Sequence, residues 1–274
     1  MGDIASERHL QVFSLDDDEQ EAFTEVGVTG TMPDGLDADV LTVTANNAVG
    51  GKQDVHLGHR TTMDIELGAP QQDLQDRITA SRLSRLRVDV DNPLPESGRD
   101  LYIIGNCEVM GDRSGCFEGP TGWNRTWFTV WGPSETRLQD VRSEDDAGGT
   151  AGGVIHGLRA IDTYLETPPE GSAGFEMDLV AEVPLRIEDG ALVYELTWWA
   201  QSKAIPDLLD VTITPPDGWR VADVTLTGGG EGRGLGVHGD GEALALEAGD
   251  GEARITGTVT ADTTFRVELV GEDR

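Results

Sequence analysis

Apolar and polar residues alternate with a period of two along most of this chain, as they do in strands that bury one face and wet the other. The run from Arg77 to Val90 sets Leu86, Val88 and Val90 against Arg85, Arg87 and Asp89, then stops at Asp91-Asn92-Pro93. The same spacing predicts strands at 41–44, 55–67, 101–105, 125–131, 136–141, 158–164, 175–183 and 192–199. Further ones follow at 211–214, 221–226, 243–246, 254–259 and 264–270. One short helix is predicted over Asp16–Phe23, where Asp16, Asp17, Asp18 and Glu19 suit the positive end of a helix dipole. A second helical candidate lies around Pro70 to Gln75.

Turn chemistry separates the strands at Pro33-Asp34-Gly35, Pro95-Glu96-Ser97-Gly98, Asp189-Gly190, Pro216-Asp217-Gly218 and Gly249-Asp250-Gly251. Many short strands, regular turns and little helix predict an all-β fold of tandem, Ig-like β-sandwich domains. No fixed-period repeat points to a propeller or solenoid. The stretch Thr167-Pro168-Pro169-Glu170-Gly171 marks the expected boundary. It divides a larger β-sandwich with the short helix, 1–168, from an Ig-like sandwich, 169–274. The acidic, glycine-rich segment from Ser143 to Gly153 reads as a loop near the end of the first domain.

Charge changes the setting rather than the fold. Fifty-one acidic residues stand against twenty basic ones, for a net charge of -31, and the only lysines are Lys52 and Lys203. The acids are spread through the alternating pattern and not collected in a tail, which fits a folded protein from a high-salt habitat where screening is short-ranged. Nucleic acid is excluded as a partner, because phosphate binding needs clustered cations. The tightest basic group is Arg82, Arg85 and Arg87, of which Arg85 and Arg87 share a face that reads as solvated. No apolar run is long enough to span a membrane, and no signal peptide opens the chain, so the residues given read as soluble.

Candidate chemistry is sparse. Cys107 and Cys116 flank a short loop and are expected to form a disulfide in an oxidising compartment; otherwise they are buried thiols. His56 and His59 would face opposite ways on a strand, which argues against a shared metal. Gly228 to Gly234 is glycine-rich, but no helix follows to present N–H groups to phosphate, so it reads as a hairpin loop. Asp34, Asp37 and Asp39 have part of a calcium-loop spacing. No cofactor is expected beyond a structural calcium ion at an unassigned site.

Aromatic residues carry the one functional suggestion. Trp123, Trp127 and Trp131 bracket a strand, with Trp127 and Trp131 on one face by parity. Trp198 and Trp199 are adjacent, so one must point away from the sandwich core. They read either as core and edge packing or as an exposed platform for sugar rings or a neighbouring domain. Trp123, Trp198 and Trp199 are the residues assigned to such a binding surface. Asn124-Arg125-Thr126 is a glycosylation sequon, with Asn124 the acceptor.

An ordered series of segments resembles a known family. It runs from Arg8-His9-Leu10-Gln11-Val12-Phe13-Ser14 through Gly27-Val28-Thr29-Gly30 and Asn46-Asn47-Ala48 to Val88-Asp89-Val90-Asp91-Asn92-Pro93. It continues with Asn124-Arg125-Thr126-Trp127, Tyr194-Glu195-Leu196 and Val211-Thr212-Ile213-Thr214-Pro215-Pro216-Asp217-Gly218-Trp219. This order resembles the C-terminal β-rich part of large actinobacterial surface proteins in the domain-of-unknown-function family numbered four thousand and twelve. The resemblance implies an outward-facing protein held by an N-terminal membrane helix that precedes the part seen in this chain. It also implies an association with cell-surface polysaccharide, and it supplies no catalytic residues. The acid load narrows the source to a halophilic microbe.

The resulting expectation is a non-enzymatic module at the cell surface that contacts surface polysaccharide or another envelope protein. An enzyme acting on glycans through paired carboxylates is the alternative, and it requires a cleft holding two acids, one raised in pKa. A structural surface-layer or virion protein is the third reading; it predicts self-assembly in high salt, whereas the module reading predicts a monomer.

Overall fold

The computed structural model describes residues 14–25, 38–48, 56–72, 76–96, 122–143, 150–201, 205–227, 244–249, 251–259 and 262–272. Helix α1 (Asp17–Glu25) comes first and is followed by β1 (Asp39–Val40), β2 (Thr42–Asn47), β3 (Gly58–Leu67), β4 (Gln71–Gln72) and β5 (Ile78–Asn92). Then come β6 (Asn124–Pro133), β7 (Arg137–Ser143), β8 (Ala151–Ile155), β9 (Leu158–Thr167), β10 (Gly171–Glu188) and β11 (Ala191–Trp198). The last strands are β12 (Asp207–Thr214), β13 (Trp219–Thr227), β14 (Ala245–Gly249), β15 (Glu252–Val259) and β16 (Thr263–Gly271).

The all-β expectation holds, and so does the short helix. Asp16 caps α1 by accepting from the Glu19 N–H at 3.1 Å, while Ser14 Oγ donates to the Glu19 carboxylate at 2.8 Å. The first of these bonds satisfies one of the N–H donors that a helix start leaves open. The second helical candidate is instead the short strand β4, paired with β5 at Gln71–Thr79 and Gln72–Ile78, while 73–75 lie outside the described residues.

Strand pairing gives two sheets. The larger has twelve strands, with a main path β13-β16-β11-β10-β5-β3-β12-β15-β14 and β1, β4 and β7 attached beside it. Its end strands β13 and β14 lie against each other, so the sheet nearly closes on itself. The smaller sheet runs β2-β6-β9-β8. Its inner face, with Val43, Phe128, Val130, Ile161 and Leu165, joins the core formed by Leu86, Val88, Met177, Leu179, Tyr194, Val211, Ile255 and Val267 of the larger sheet.

Pairing across the chain differs from a tandem of two sandwiches. β5 pairs with β10 from Asn92–Gly171 to Ile78–Leu185, and β3 pairs with β12 in parallel from Arg60–Leu208 to Glu66–Thr214. Strands on both sides of the Pro168-Pro169 turn, where 1–168 was expected to give way to 169–274, therefore share one sheet and one core. Pro168, Pro169 and Glu170 make the tight connection from β9 to β10, with Glu170 at φ 49°. Local composition marks such a turn correctly, but it is blind to the pairing of strands some ninety residues apart.

Candidate functional site

Parity along β6 and β9 decides what the small sheet shows to solvent. Asn124, Thr126, Phe128 and Val130 turn inward and are buried. Arg125, Trp127, Thr129 and Trp131 therefore take the opposite face. On β9 the register places Tyr164 beside Trp127, Glu166 beside Arg125 and Asp162 beside Thr129. On the other side β2 brings Asn46 next to Trp127 and Thr44 next to Thr129.

An aromatic pair sits at the centre of this face. Trp127 is 42 % exposed, and its ring centroid lies 5.1 Å from that of Tyr164 at a tilt of 56°. Polar groups flank the pair on both sides. Arg125 Nε donates to Glu166 Oε1 at 2.9 Å, the Tyr164 hydroxyl donates to the same oxygen at 3.0 Å, and Thr129 Oγ1 donates to Asp162 Oδ1 at 2.6 Å. Burial, the hydrogen bond to Glu166 and its charge push the Tyr164 hydroxyl up to about 12, with Arg125 opposing. The phenol therefore stays protonated across the neutral range and acts as a donor. The result is a partly exposed, tilted aromatic pair bordered by carboxylates, hydroxyls and an amide. Such a surface can stack a ring that carries apolar C–H groups and hydrogen-bond the hydroxyls around its edge.

The tryptophans assigned from sequence lie elsewhere. Trp198 is fully buried in the main core, and Trp199 is buried against Val40, Leu158 and Trp131 in a separate cluster. The two do point to opposite sides, as parity requires. The second side is also covered, because the chain leaving β11 runs along β2, where Thr42 Oγ1 donates to the Trp199 carbonyl at 2.8 Å. Trp123 is half-buried beside the start of β6. Trp127 is absent from the assigned residues: parity puts it on one face with Trp131 but does not say which face of the strand meets solvent.

Other sequence-level assignments are corrected or fall outside the described residues. Asn124 is fully buried, on the same inward face as Phe128, and its Oδ1 accepts from Thr126 Oγ1 at 2.7 Å. This folded sequon cannot present its amide to a glycosylating enzyme. Cys107, Cys116, Asp34, Asp37 and the glycine-rich 228–234 segment lie outside the described residues. No cluster of metal-ligating side chains occurs among the described residues, nor any helix long and apolar enough to cross a membrane. His59 is buried with Nδ1 3.6 Å from Asp207 and its ring packed edge-on to Phe128, 5.4 Å between centroids.

A buried ionic cluster ties three strands of the large sheet together, β1, β5 and β11. Arg82, on the inner face of β5, donates through Nη1 to both oxygens of Asp39 at 2.6 Å, and the Tyr194 hydroxyl donates to Asp39 Oδ2 at 2.6 Å. All three residues are fully buried. Burial raises the Asp39 carboxyl above its usual range, against the opposing pull of Arg82 and Tyr194. Asp39 is sealed from solvent, so no substrate reaches it. On the outer face of the large sheet, an open polar depression of about 350 Å³ is lined by Arg60, Leu208, Asp210, Glu247, Arg254 and Thr256.

No protein-family model matches the chain, and no curated protein matches it. Several solved structures align with the chain at low similarity. A candidate nutrient-binding protein from Legionella pneumophila aligns at TM-score 0.33 and 8% identity, over 84% of this chain and 70% of that one. An M1 zinc metallopeptidase variant from Deinococcus radiodurans gives TM-score 0.36 and 8% identity, over 77% of this chain and 42% of the peptidase. The acetylcholine-binding protein from Bulinus truncatus gives TM-score 0.27 and 5% identity, over 78% and 89%. Scores this low assign neither a shared fold nor a shared activity.

Proposed function

We propose that this chain is a non-catalytic β-module of a cell-envelope protein that contacts surface polysaccharide through the outer face of its small sheet. The observation that carries the reading is the outward Trp127, packed at a tilt beside Tyr164 and bordered by Glu166, Asp162 and Asn46. An exposed aromatic pair costs solvation unless a partner covers it, and a sugar ring offers both the apolar face and the hydroxyls that this border matches. The charge of -31 favours a neutral polysaccharide, since an acidic one would be repelled. An extracytoplasmic, high-salt setting fits the acid load and agrees with the family resemblance in the segment order. The reading invokes no cofactor.

Affinity electrophoresis in gels containing dextran, mannan or galactan tests it. One of these neutral polymers should retard the native chain, and Trp127→Ala should abolish the retardation while leaving the melting temperature near that of the parent. Free migration in every gel, or retardation that survives Trp127→Ala, would remove the assignment. The salt-adapted setting has its own check: the melting temperature should fall as salt is withdrawn, and one independent of salt would contradict it.

A further inference from the structure

The edges of the two sheets are finished in different ways. Along β2, the Gln201 side chain occupies the place of a further strand: the Ala45 N–H donates to Gln201 Oε1 at 2.7 Å, and Gln201 Nε2 donates to the Ala45 carbonyl at 2.7 Å. The large sheet brings its end strands β13 and β14 together. β7 carries Arg137, Asp140 and Arg142, and its pairing with β10 is broken by an irregularity between Asp178 and Leu179. Capping, closure, charge and bulges all keep a sheet edge from recruiting another chain. β8 has none of these devices. Its residues Ala151-Gly152-Gly153-Val154-Ile155 include no charge and no proline, and Val154 and Ile155 are 53% and 46% exposed.

The hairpin fixes which backbone groups face outward. His156 and Gly157, at φ 49° and 77°, join β8 to β9 in a two-residue turn, with Ile155 opposite Leu158. Residues flanking such a turn form a hydrogen-bonded pair, and the pairs alternate along an antiparallel ladder. Gly153–Ala160 is therefore the next bonded pair. Gly152 and Val154 direct their N–H and C=O groups away from β9, and no strand pairs with β8 on that side among the described residues. In a chain of net charge -31, most of the surface repels a second copy. An uncharged strip of main chain is where two copies can meet without opposing carboxylates.

We propose that β8 is a self-association edge, across which two copies pair β8 to β8 in antiparallel register about a two-fold axis at Gly153. Gly152 then exchanges hydrogen bonds with Val154 of the partner subunit, and the reverse pair follows by symmetry. Val154 covers a glycine across the axis. Two four-stranded sheets become one continuous sheet, and the contact closes on itself as a dimer with no free β8 edge left over. The axis is perpendicular to the sheet, so both Trp127–Tyr164 faces lie on the same side, with their β6 strands roughly 24 Å apart at the usual strand spacing. The dimer stands without the polysaccharide reading and replaces the monomer that reading predicts, while its closure at two copies sets it apart from the open assembly of a surface layer. Where the polysaccharide reading holds, the paired faces bind one polymer with avidity.

Sedimentation of the full chain at molar salt, across a range of concentrations, tests the pairing together with a cross-linking variant. A Cβ added at Gly153 meets nothing within 4 Å, so cysteine fits there. Across the axis the two copies of this residue form a non-hydrogen-bonded pair, at a Cα separation of about 4.5 Å, within disulfide reach. The wild type should dimerise reversibly, and Gly153→Cys should cross-link on mild oxidation under conditions where the wild type does not. Val154→Pro removes an outward N–H without breaking a β8–β9 bond and should raise the dissociation constant at least tenfold, to about the precision with which a single strong edge defect is read. Val154→Lys should do the same through charge, which keeps the test decisive if the proline variant fails to fold. Ile187→Lys, at a 64% exposed apolar residue on another part of the surface, should leave the constant unchanged. A wild type that stays monomeric, Val154 variants that dimerise like the parent, or a dimer in which Gly153→Cys does not cross-link would each overturn the proposal.

Discussion

On the inner face of the large sheet Arg82 meets one carboxylate, Asp39; on the outer face Arg142 meets three, Asp140, Glu176 and Asp178. Both arginines make short charge-assisted contacts, Arg82 reaching from β5 to β1 and Arg142 from β7 to the neighbouring β10. Their surroundings differ. Arg82 is sealed from water, and its Nε and Nη2 have no hydrogen-bond partner. Arg142 remains 44% exposed at its side chain and shares its carboxylates with Arg85. Desolvation governs the first site and solvent screening governs the second. A buried pair is therefore costly to break yet adds little over an apolar substitute. A surface ladder costs little to break and matters through its sum.

Removing one partner of the inner pair should give the largest effect. Asp39→Ala leaves the Arg82 charge buried without its counter-ion and should lower unfolding stability by about 3–5 kcal/mol. Chemical denaturation at fixed molar salt reads this directly. Replacing all three members with apolar groups of similar size, Asp39→Leu with Arg82→Met and Tyr194→Phe, should restore most or all of the loss. If the triple variant is as unstable as Asp39→Ala, then the cluster holds β1 in place through its specific geometry and not merely by avoiding an orphaned charge.

The same contrast shows what could be read in the sequence. Parity along β5 puts Arg82 on the face of Leu86, Val88 and Val90, and puts Arg85 and Arg87 on the other, and the structure follows that division. Asp39 could not be identified as the partner, because it lies forty-three residues away on a two-residue strand that only pairing with β11 defines. Asn124 shares parity with Phe128, so its burial was readable, although a sequon is normally taken as a surface mark. Trp198 and Trp199 needed knowledge of what lies over each face, and that depends on where the chain goes after β11. Ser143 to Gly153 reads as loop in sequence because it is acidic and rich in glycine; the strand state of 151–155 comes from pairing with β9, and Gly152 fits where a Cβ would lie 2.2 Å from the Ala160 carbonyl oxygen.

On the outer face, single substitutions should be nearly silent. Arg142→Gln should leave the denaturation midpoint at molar salt within error of the parent, because Arg85 still serves Glu176 and Asp178. As the salt is lowered towards the limit of folding, the variant should fall behind, since self-repulsion among the acids is then less screened. A large loss at molar salt would show that the ladder acts as a cooperative network, and the distinction between the two faces would weaken.

Acid titration separates the two sites by sign, with the smallest amplitude of all. Burial holds Asp39 above the ordinary carboxylate range. Hydrogen bonds from Arg142, and then Arg85, hold Asp178 below it, and Arg266 does the same for Glu188. A carboxylate raised on folding binds its proton more tightly in the native state. Its contribution to stability therefore grows as pH falls from its folded pKa towards the ordinary value of about 3.9. A lowered carboxylate contributes above its ordinary pKa and loses that contribution as pH falls through its folded one. Denaturation midpoints from neutral pH into acid should accordingly decline less steeply in Asp178→Asn than in the parent, and more steeply in Asp39→Asn. Added salt should shrink the first difference and spare the second, because the ions reach Asp178 and not Asp39. Parallel acid limbs in all three proteins would mean that neither carboxylate titrates differently once the chain is folded.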